Sequence, residues 1–342
     1  MALITKKKRI YPINRPLREY LRNHKREAEA IDYDALTRYE SSIPLYDRKG
    51  EDTLWETVLY SQSEIESIHQ RLKMVYSNLT SSGNVEVIEH LYIDRIDLCP
   101  FGNTKPFRVR IVNGINDNFD YFYIKLADAS RIYGLELEHL LSPNRINFIV
   151  DKNTLVEEHI IGVPGDQFIK FHLDNNQLNK VRIAKEFVKF NERTFVRLLG
   201  DMHSSNFVID ITPDFEEMHY RIRAIDFDQQ SYEGRKAVYM PKYFKQNNAL
   251  IKLGMEVMTP ESMAQYQLEE RSLIFNRMKS SKYILRDLLN AMRTTPLSLD
   301  KNIKKLRQEL ANHHKNDAFL KCSTMGDIVK TNLSMLEAEQ ST

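Results

Sequence analysis

The spacing of apolar residues changes twice along the chain. Up to residue 84 it is mostly helical. Leu17, Tyr20 and Leu21 share a face behind Asn14 and Pro16, and Ile65, Ile68, Leu72, Val75, Tyr76 and Leu79 recur at i, i+3 and i+4. Asn14 is placed to cap the first of these helices, and Ser61 with Glu64 forms a capping box for the second. Trp55 with Leu54, Val58 and Leu59 reads as the core side of a helix. The turn cluster SNLTSSGN over 77–84 predicts a boundary. Residues 1–84 are therefore expected to form a helical N-terminal extension.

From 85 to 170 the period drops to two. HLYIDRIDL, PFRVRIVNG, FDYFYIKLA, RINFIVDK and TLVEEHIIG predict five strands, with one helix, SRIYGLELEHLLSP, between the third and fourth. From 171 to 342 helices dominate. LNKVRIAKEFVKFNERTF is amphipathic, and two short strands, NFVIDI and YRIRAIDFD, follow it. Thr259 and Pro260 open a later helix as N-cap and first helical residue. The pattern predicts an α+β chain with a small antiparallel-sheet lobe over 85–170 and a helical lobe over 171–342.

Composition narrows the class. The chain has 342 residues, 42% hydrophobic and 28% charged, which is a globular mix. Its net charge of +2 gives no global field for nucleic acid. Two cysteines, Cys99 and Cys322, exclude a disulfide scaffold or a four-thiolate zinc site. No apolar run is long enough for a membrane span and the start lacks an apolar signal core, so a cytoplasmic protein without membrane contact is expected.

The stretch richest in chemistry is Leu199-Gly200-Asp201-Met202-His203-Ser204-Ser205-Asn206-Phe207, followed by Ala224-Ile225-Asp226-Phe227-Asp228. An Asp and an Asn five residues apart precede a strand. Another Asp, twenty residues on, ends the next strand. Phosphoryl transfer needs such parts: one carboxylate for the proton of the attacking hydroxyl, and an amide oxygen with a second carboxylate for a hard cation against the phosphates. These residues resemble the protein-kinase-like superfamily, and most closely its aminoglycoside phosphotransferase and choline kinase branch, whose core reads H-G-D-x-H-x-x-N and then I-D-[FW]. The resemblance implies a bilobal kinase-like fold, ATP and Mg²⁺ as cofactors, Asp201 as catalytic base and Asn206 and Asp226 as metal ligands. Asp228 matches an acidic position found in some members and is a further ligand candidate. A small-molecule hydroxyl is the implied acceptor, with a protein acceptor as the alternative.

The upstream half extends the resemblance. Lys125, in the alternating strand 121–126, resembles the strand lysine that pairs with ATP phosphates and with a helix glutamate; Glu136 and Glu138 are both candidates for that partner. Glu158, His159 and Ile160 match the segment whose backbone reads the adenine edge, and Asp166 is placed for ribose or substrate. No G-x-G-x-x-G precedes Lys125; the nearest turn is Pro100-Phe101-Gly102-Asn103-Thr104-Lys105. Leu199 stands where the family has His, and no A-P-E element follows Asp228. Two rival functions share this scaffold: a pseudokinase that binds a partner through its helical extension, and nucleotidyl transfer. Tyr232, Arg235, Lys236, Tyr239 and Lys242 are either the acceptor side or an exposed loop, and the basic N-terminus from Lys6 reads as a solvated helical face.

Overall fold

Asn14 caps α1 (Arg15–Asn23) by accepting the Leu17 N–H on its Oδ1 at 3.1 Å. The same local rule opens several elements of this computed structural model, which describes residues 8–81, 88–176, 178–214 and 218–339. The chain divides into two compact units. One holds residues 12–128 and 146–159; the other holds the residues up to Tyr11, then 129–145 and everything from Ile160.

The first unit is built on a sheet. After α1 come α2 (Tyr33–Leu36), β1 (Ser41–Tyr46), β2 (Asp52–Leu59), α3 (Gln62–Ser81), β3 (Leu91–Leu98), β4 (Phe107–Asn113) and β5 (Phe119–Leu126). β6 (Phe148–Asp151) and β7 (Thr154–Glu158) complete it. The seven strands pair antiparallel in the order β1-β2-β3-β4-β5-β7-β6. Ile68, Leu72, Val75 and Leu79 of α3 pack on one face, against Ile93, Ile96, Val109, Ile111, Phe122 and Ile124. A bulge inserts Asp94 between Ile93 and Arg95, so Ile93 and Ile96 both point inward although they are three apart.

The opposite face carries Trp55, Arg95, Asp97, Arg108, Tyr121, Tyr123 and Lys125. Asp97 is fully buried and takes Arg95 at 2.9 Å, Arg108 at 2.8 Å and the Thr57 hydroxyl at 2.9 Å. Trp55 stacks on the Arg108 guanidinium, 4.3 Å away. This corrects two expectations. Residues 41–46 and 52–59 are strands, so the first 84 residues are not a wholly helical extension, and Trp55 belongs to a sheet. The turn cluster at 77–84 also begins late. α3 runs to Ser81, where Asn78 and Thr80 satisfy themselves on the Glu29 and Tyr76 carbonyls, and residues 82–84 lie outside the described residues.

The second unit is mainly helical. It comprises α4 (Ala129–Leu141), β8 (Val163–Pro164), α5 (Gly165–Phe171), α6 (Lys180–Arg197), β9 (Phe207–Pro213), β10 (Met218–Ala224), α7 (Asn248–Val257), α8 (Pro260–Ser280), α9 (Lys282–Arg293), α10 (Asp300–His314) and α11 (Met325–Glu339). β9 and β10 form a hairpin, and β8 adds a third antiparallel strand. Thr259 caps α8 on the Ser262 N–H at 3.2 Å. Among the described residues no helix is long and apolar enough to cross a membrane. An antiparallel sheet in the N-terminal part and helices in the C-terminal part is the α+β order that the kinase-like resemblance implies.

α6 is tied to its neighbours by buried ion pairs. Arg197 pairs with Glu138 of α4, both at most 2% exposed. Arg193 donates to Glu186 at 2.5 Å and to the Ile222 carbonyl of β10 at 3.1 Å, and its other arm lies 3.4 Å from Glu270 of α8. Arg271 reaches back to Glu192 at 2.6 Å. Burial pushes the Glu138 carboxyl up, but Arg197, Ser142 and Arg193 together outweigh it and hold the group below its ordinary value. Arg197→Met should leave Glu138 as an unpaired buried charge and cost ~3–5 kcal/mol in urea unfolding. The pair Arg197→Met with Glu138→Leu should recover most of that loss. An equal loss in both variants would assign the effect to packing volume instead.

Candidate active site

α6 ends in a left-handed residue. Leu198 caps it at φ 55°, fully buried, with its C=O accepting the Ser231 N–H at 2.9 Å. Asp201 follows, also left-handed at φ 65°, a conformation that Asp tolerates better than most residues. The surroundings hold it there. Its N–H donates to the Val238 C=O at 3.0 Å, and its own C=O accepts the His203 N–H at 2.9 Å and Asn206 Nδ2 at 2.8 Å. Strain held this firmly is common at functional sites. Asn206 thus spends its NH₂ on the loop, and its amide oxygen is the atom with which it can meet a cation.

The backbone of Asn206 brings in the second half of the motif, because its C=O accepts the Ile225 N–H at 3.0 Å. Asp226 and Asp228 then share α4 as a neighbour. Gly134 permits this approach: a Cβ there would lie 3.1 Å from Phe227 Cβ. One turn earlier on α4, Arg131 Nη1 donates to Oδ1 of Asp226 and to Oδ1 of Asp228, at 2.8 Å each. Gly165 serves the other side, where a Cβ would sit 2.5 Å from the Ser204 C=O; the adjacent Asp166 N–H donates to that carbonyl at 3.1 Å.

The result is a concentration of acids. Burial, then the charges of Asp226, Glu233 and Asp228, push the Asp201 carboxyl up to about 7. Burial lowers His203, against Asp226 and Asp166, which pull it upward. Asp201, Asn206, Asp226 and Asp228 therefore form one cluster within the helical unit. Among the described residues no group of three or more His, Cys, Asp or Glu side chains is arranged to hold a metal by itself. A cation here would draw on Asn206 as well, and on oxygens brought by its ligand.

The other candidates are distributed over both units. Lys125 is in the sheet unit, where its Nζ pairs with Glu157 Oε2 at 2.8 Å, the two side chains 10% and 7% exposed. Glu157 was not anticipated. Tyr123 pairs with Glu157 and Lys125 with Leu155, so Glu157 is the diagonal neighbour of Lys125 on one sheet face. Reading 154–158 as the adjacent strand would have revealed it. Glu138 is withdrawn as a partner for Lys125, since it is sealed against Arg197. Glu136 is also buried in the helical unit. In the segment 158–160 the Glu158 N–H donates to Asn147 C=O at 3.1 Å, and His159 Nδ1 lies 3.2 Å from the Tyr123 hydroxyl. Burial lowers the His159 ring below its ordinary value. Ile160 begins the helical unit and is buried.

The cluster after Asp228 is not one basic surface. Tyr239 is fully buried with its hydroxyl on the Glu233 C=O at 2.6 Å, and Lys236 is 3.1 Å from His313 Nδ1. Near the N-terminus, Arg18 and Arg22 pair with Glu27, and Lys6 and Lys7 lie outside the described residues.

No family model and no curated protein matches the chain. Among solved structures it is similar to the autoinhibited serine kinase domain of the giant muscle protein titin, at 11% identity and a TM-score of 0.29, over 72% of this chain and 93% of that one. It is also similar to titin kinase with its flanking domains, at 11% identity and a TM-score of 0.30, over 79% of this chain and 60% of that one. Both scores lie below the range in which likeness carries weight for chemistry.

The raised Asp201 pKa has a sign that can be measured. Between its ordinary value and about 7 the folded protein holds a proton that the unfolded chain releases, so stability falls as pH rises through that window. Asp201→Asn removes the penalty. It should melt above the wild type at pH 8, by at most about 4 kcal/mol at 1.36 kcal/mol per pH unit, and match it near pH 4. Equal melting curves at pH 8 would mean that Asp201 is not destabilised by its neighbours.

Proposed function

We propose that the protein is an ATP- and Mg²⁺-dependent phosphotransferase acting on a hydroxyl group, of a small molecule by its similarity to the aminoglycoside phosphotransferase and choline kinase branch. The observation that carries this is Asp201. It is a partly buried carboxylate held in a strained loop, with a proton affinity near neutrality, beside the acid and the amide that the motif requires. A general base works best when its pKa lies near the working pH.

Asp201 accepts the proton of the acceptor hydroxyl as that oxygen attacks the γ-phosphorus and ADP departs. Asn206 and Asp226 are all-oxygen donors, and the site's negative potential, visible in the upward push on Asp201, suits a hard cation. Mg²⁺, when bound, supplies charge neutralisation at the phosphate oxygens. Lys125, paired with Glu157, is the phosphate-binding lysine by the similarity of its strand position. Glu158, His159 and Ile160 are the adenine-side segment by the same similarity.

A labelled-ATP screen against pooled alcohols and aminoalcohols tests this. Wild type should transfer the γ-phosphate, and Asp201→Asn should lower turnover by about 10²–10⁴ with nucleotide affinity little changed. Asp226→Ala should abolish the magnesium-dependent part of the thermal shift with ATP. The Arg131 contact with Asp226 favours a second reading, a nucleotide-binding pseudokinase in which that acid is already neutralised. It predicts no turnover in either form. Transfer of AMP instead of phosphate, read as product mass, would replace both with nucleotidyl transfer.

A further inference from the structure

Arg131 is an unusual neighbour for two candidate metal ligands. Its side chain is 3% exposed, and a single atom, Nη1, serves Oδ1 of Asp226 and Oδ1 of Asp228 at 2.8 Å each. The Asp228 N–H closes on the same Asp226 oxygen at 3.0 Å, and the guanidinium lies 5.9 Å from the Phe227 ring. A guanidinium does not give up its proton in a protein, so this is a permanent positive charge. Two carboxylates converging on one atom describe where a bridging divalent ion would sit; here the chain itself fills that position. An ion binding there would have to expel a buried arginine and leave it without its counter-charges. The two acids also differ in access, since the Asp226 side chain is 35% exposed and that of Asp228 13%.

We propose that Arg131 is a built-in cation standing in for one metal ion, so that the acid cluster loads a single divalent ion, through Asp226 and Asn206, where without the arginine it would load two. This rests on reading Asp226 as a metal ligand. Asp228 is then a positioning residue, the counter-ion that keeps Arg131 beside Asp226, and not itself a ligand. Part of the phosphate neutralisation falls to the fold, which needs no second ion from solution.

The test is a Mn²⁺ titration of the full chain with one equivalent of a non-hydrolysable ATP analogue bound, counting free Mn²⁺ by electron paramagnetic resonance, with folding followed by circular dichroism. Wild type and Arg131→Lys should each bind one Mn²⁺ per chain, and Arg131→Gln should bind two. If Arg131→Gln is folded only when Mn²⁺ is present, the metal is replacing the lost charge and the proposal is supported. The same non-zero count in wild type and Arg131→Gln overturns it and leaves the metal role of Asp226 standing, as does a count of two in wild type. No binding in any form removes the metal reading itself, and the proposal with it. Arg131→Gln unfolded with and without Mn²⁺ makes Arg131 a structural residue and also overturns the proposal.

Discussion

The buried pair between Arg197 and Glu138 is the constraint on which the site depends. It joins the last turn of α6 to the last turn of α4, and each helix delivers one half of the chemistry. α6 stops at Arg197, turns through Leu198 and presents Asp201 four residues later. α4 carries Arg131 to Asp226 and Asp228 from about two turns before Glu138. Replacing such a pair by apolar residues often leaves stability little changed, so stability alone does not explain it. What it fixes is the placement of the end of α6, from which the chain runs on to Asp201, relative to α4, whose first half meets Asp226 and Asp228.

Those acids work against the fold. Asp201 faces Asp226, Glu233 and Asp228, and partial burial weakens the screening that would make this harmless. Arg131 offsets part of the repulsion at one end of the cluster, and the Asp201 end is left raised. Left-handed backbone at Leu198 and Asp201 adds strain at the same place. Such a region is expected to gain stability when a function-bearing acid is removed, the trade between activity and stability seen at many active sites.

Much of this was legible in the sequence. The strands over 85–170 were readable because one face of the sheet packs on α3, most regularly in β4, and the motif at 199–228 survives as a local pattern because its loop is braced by its own residues, Asn206 on Asp201 above all. The hairpin of β1 and β2 was not legible. Leu54, Trp55, Val58 and Leu59 recur at helical spacing, Pro44 lies within β1, and Leu54 sits at φ 62° beside a register shift, so the period of two is broken where it would have been read. Arg131 and Glu157 were missed for a different reason. Each acquires its meaning from a partner at a distance, Asp226 across 95 positions and Lys125 across 32, and a single sequence does not state which distant charges meet.

The path of the chain between the two units has a practical side. α4 lies in sequence between strands of the sheet unit, yet it belongs with the helices, and the residues up to Tyr11 do likewise; the Ala129 N–H donates to the Tyr11 C=O at 2.8 Å. Cutting the gene at His159 and Ile160 would therefore not yield two autonomous halves. The downstream fragment would lack α4, exposing Arg197 without Glu138 and Asp226 without Arg131, and the upstream fragment would carry a helix whose counterparts are gone. Split reporters and domain swaps with this protein should keep 129–145 with the helices, by circular permutation rather than by scission.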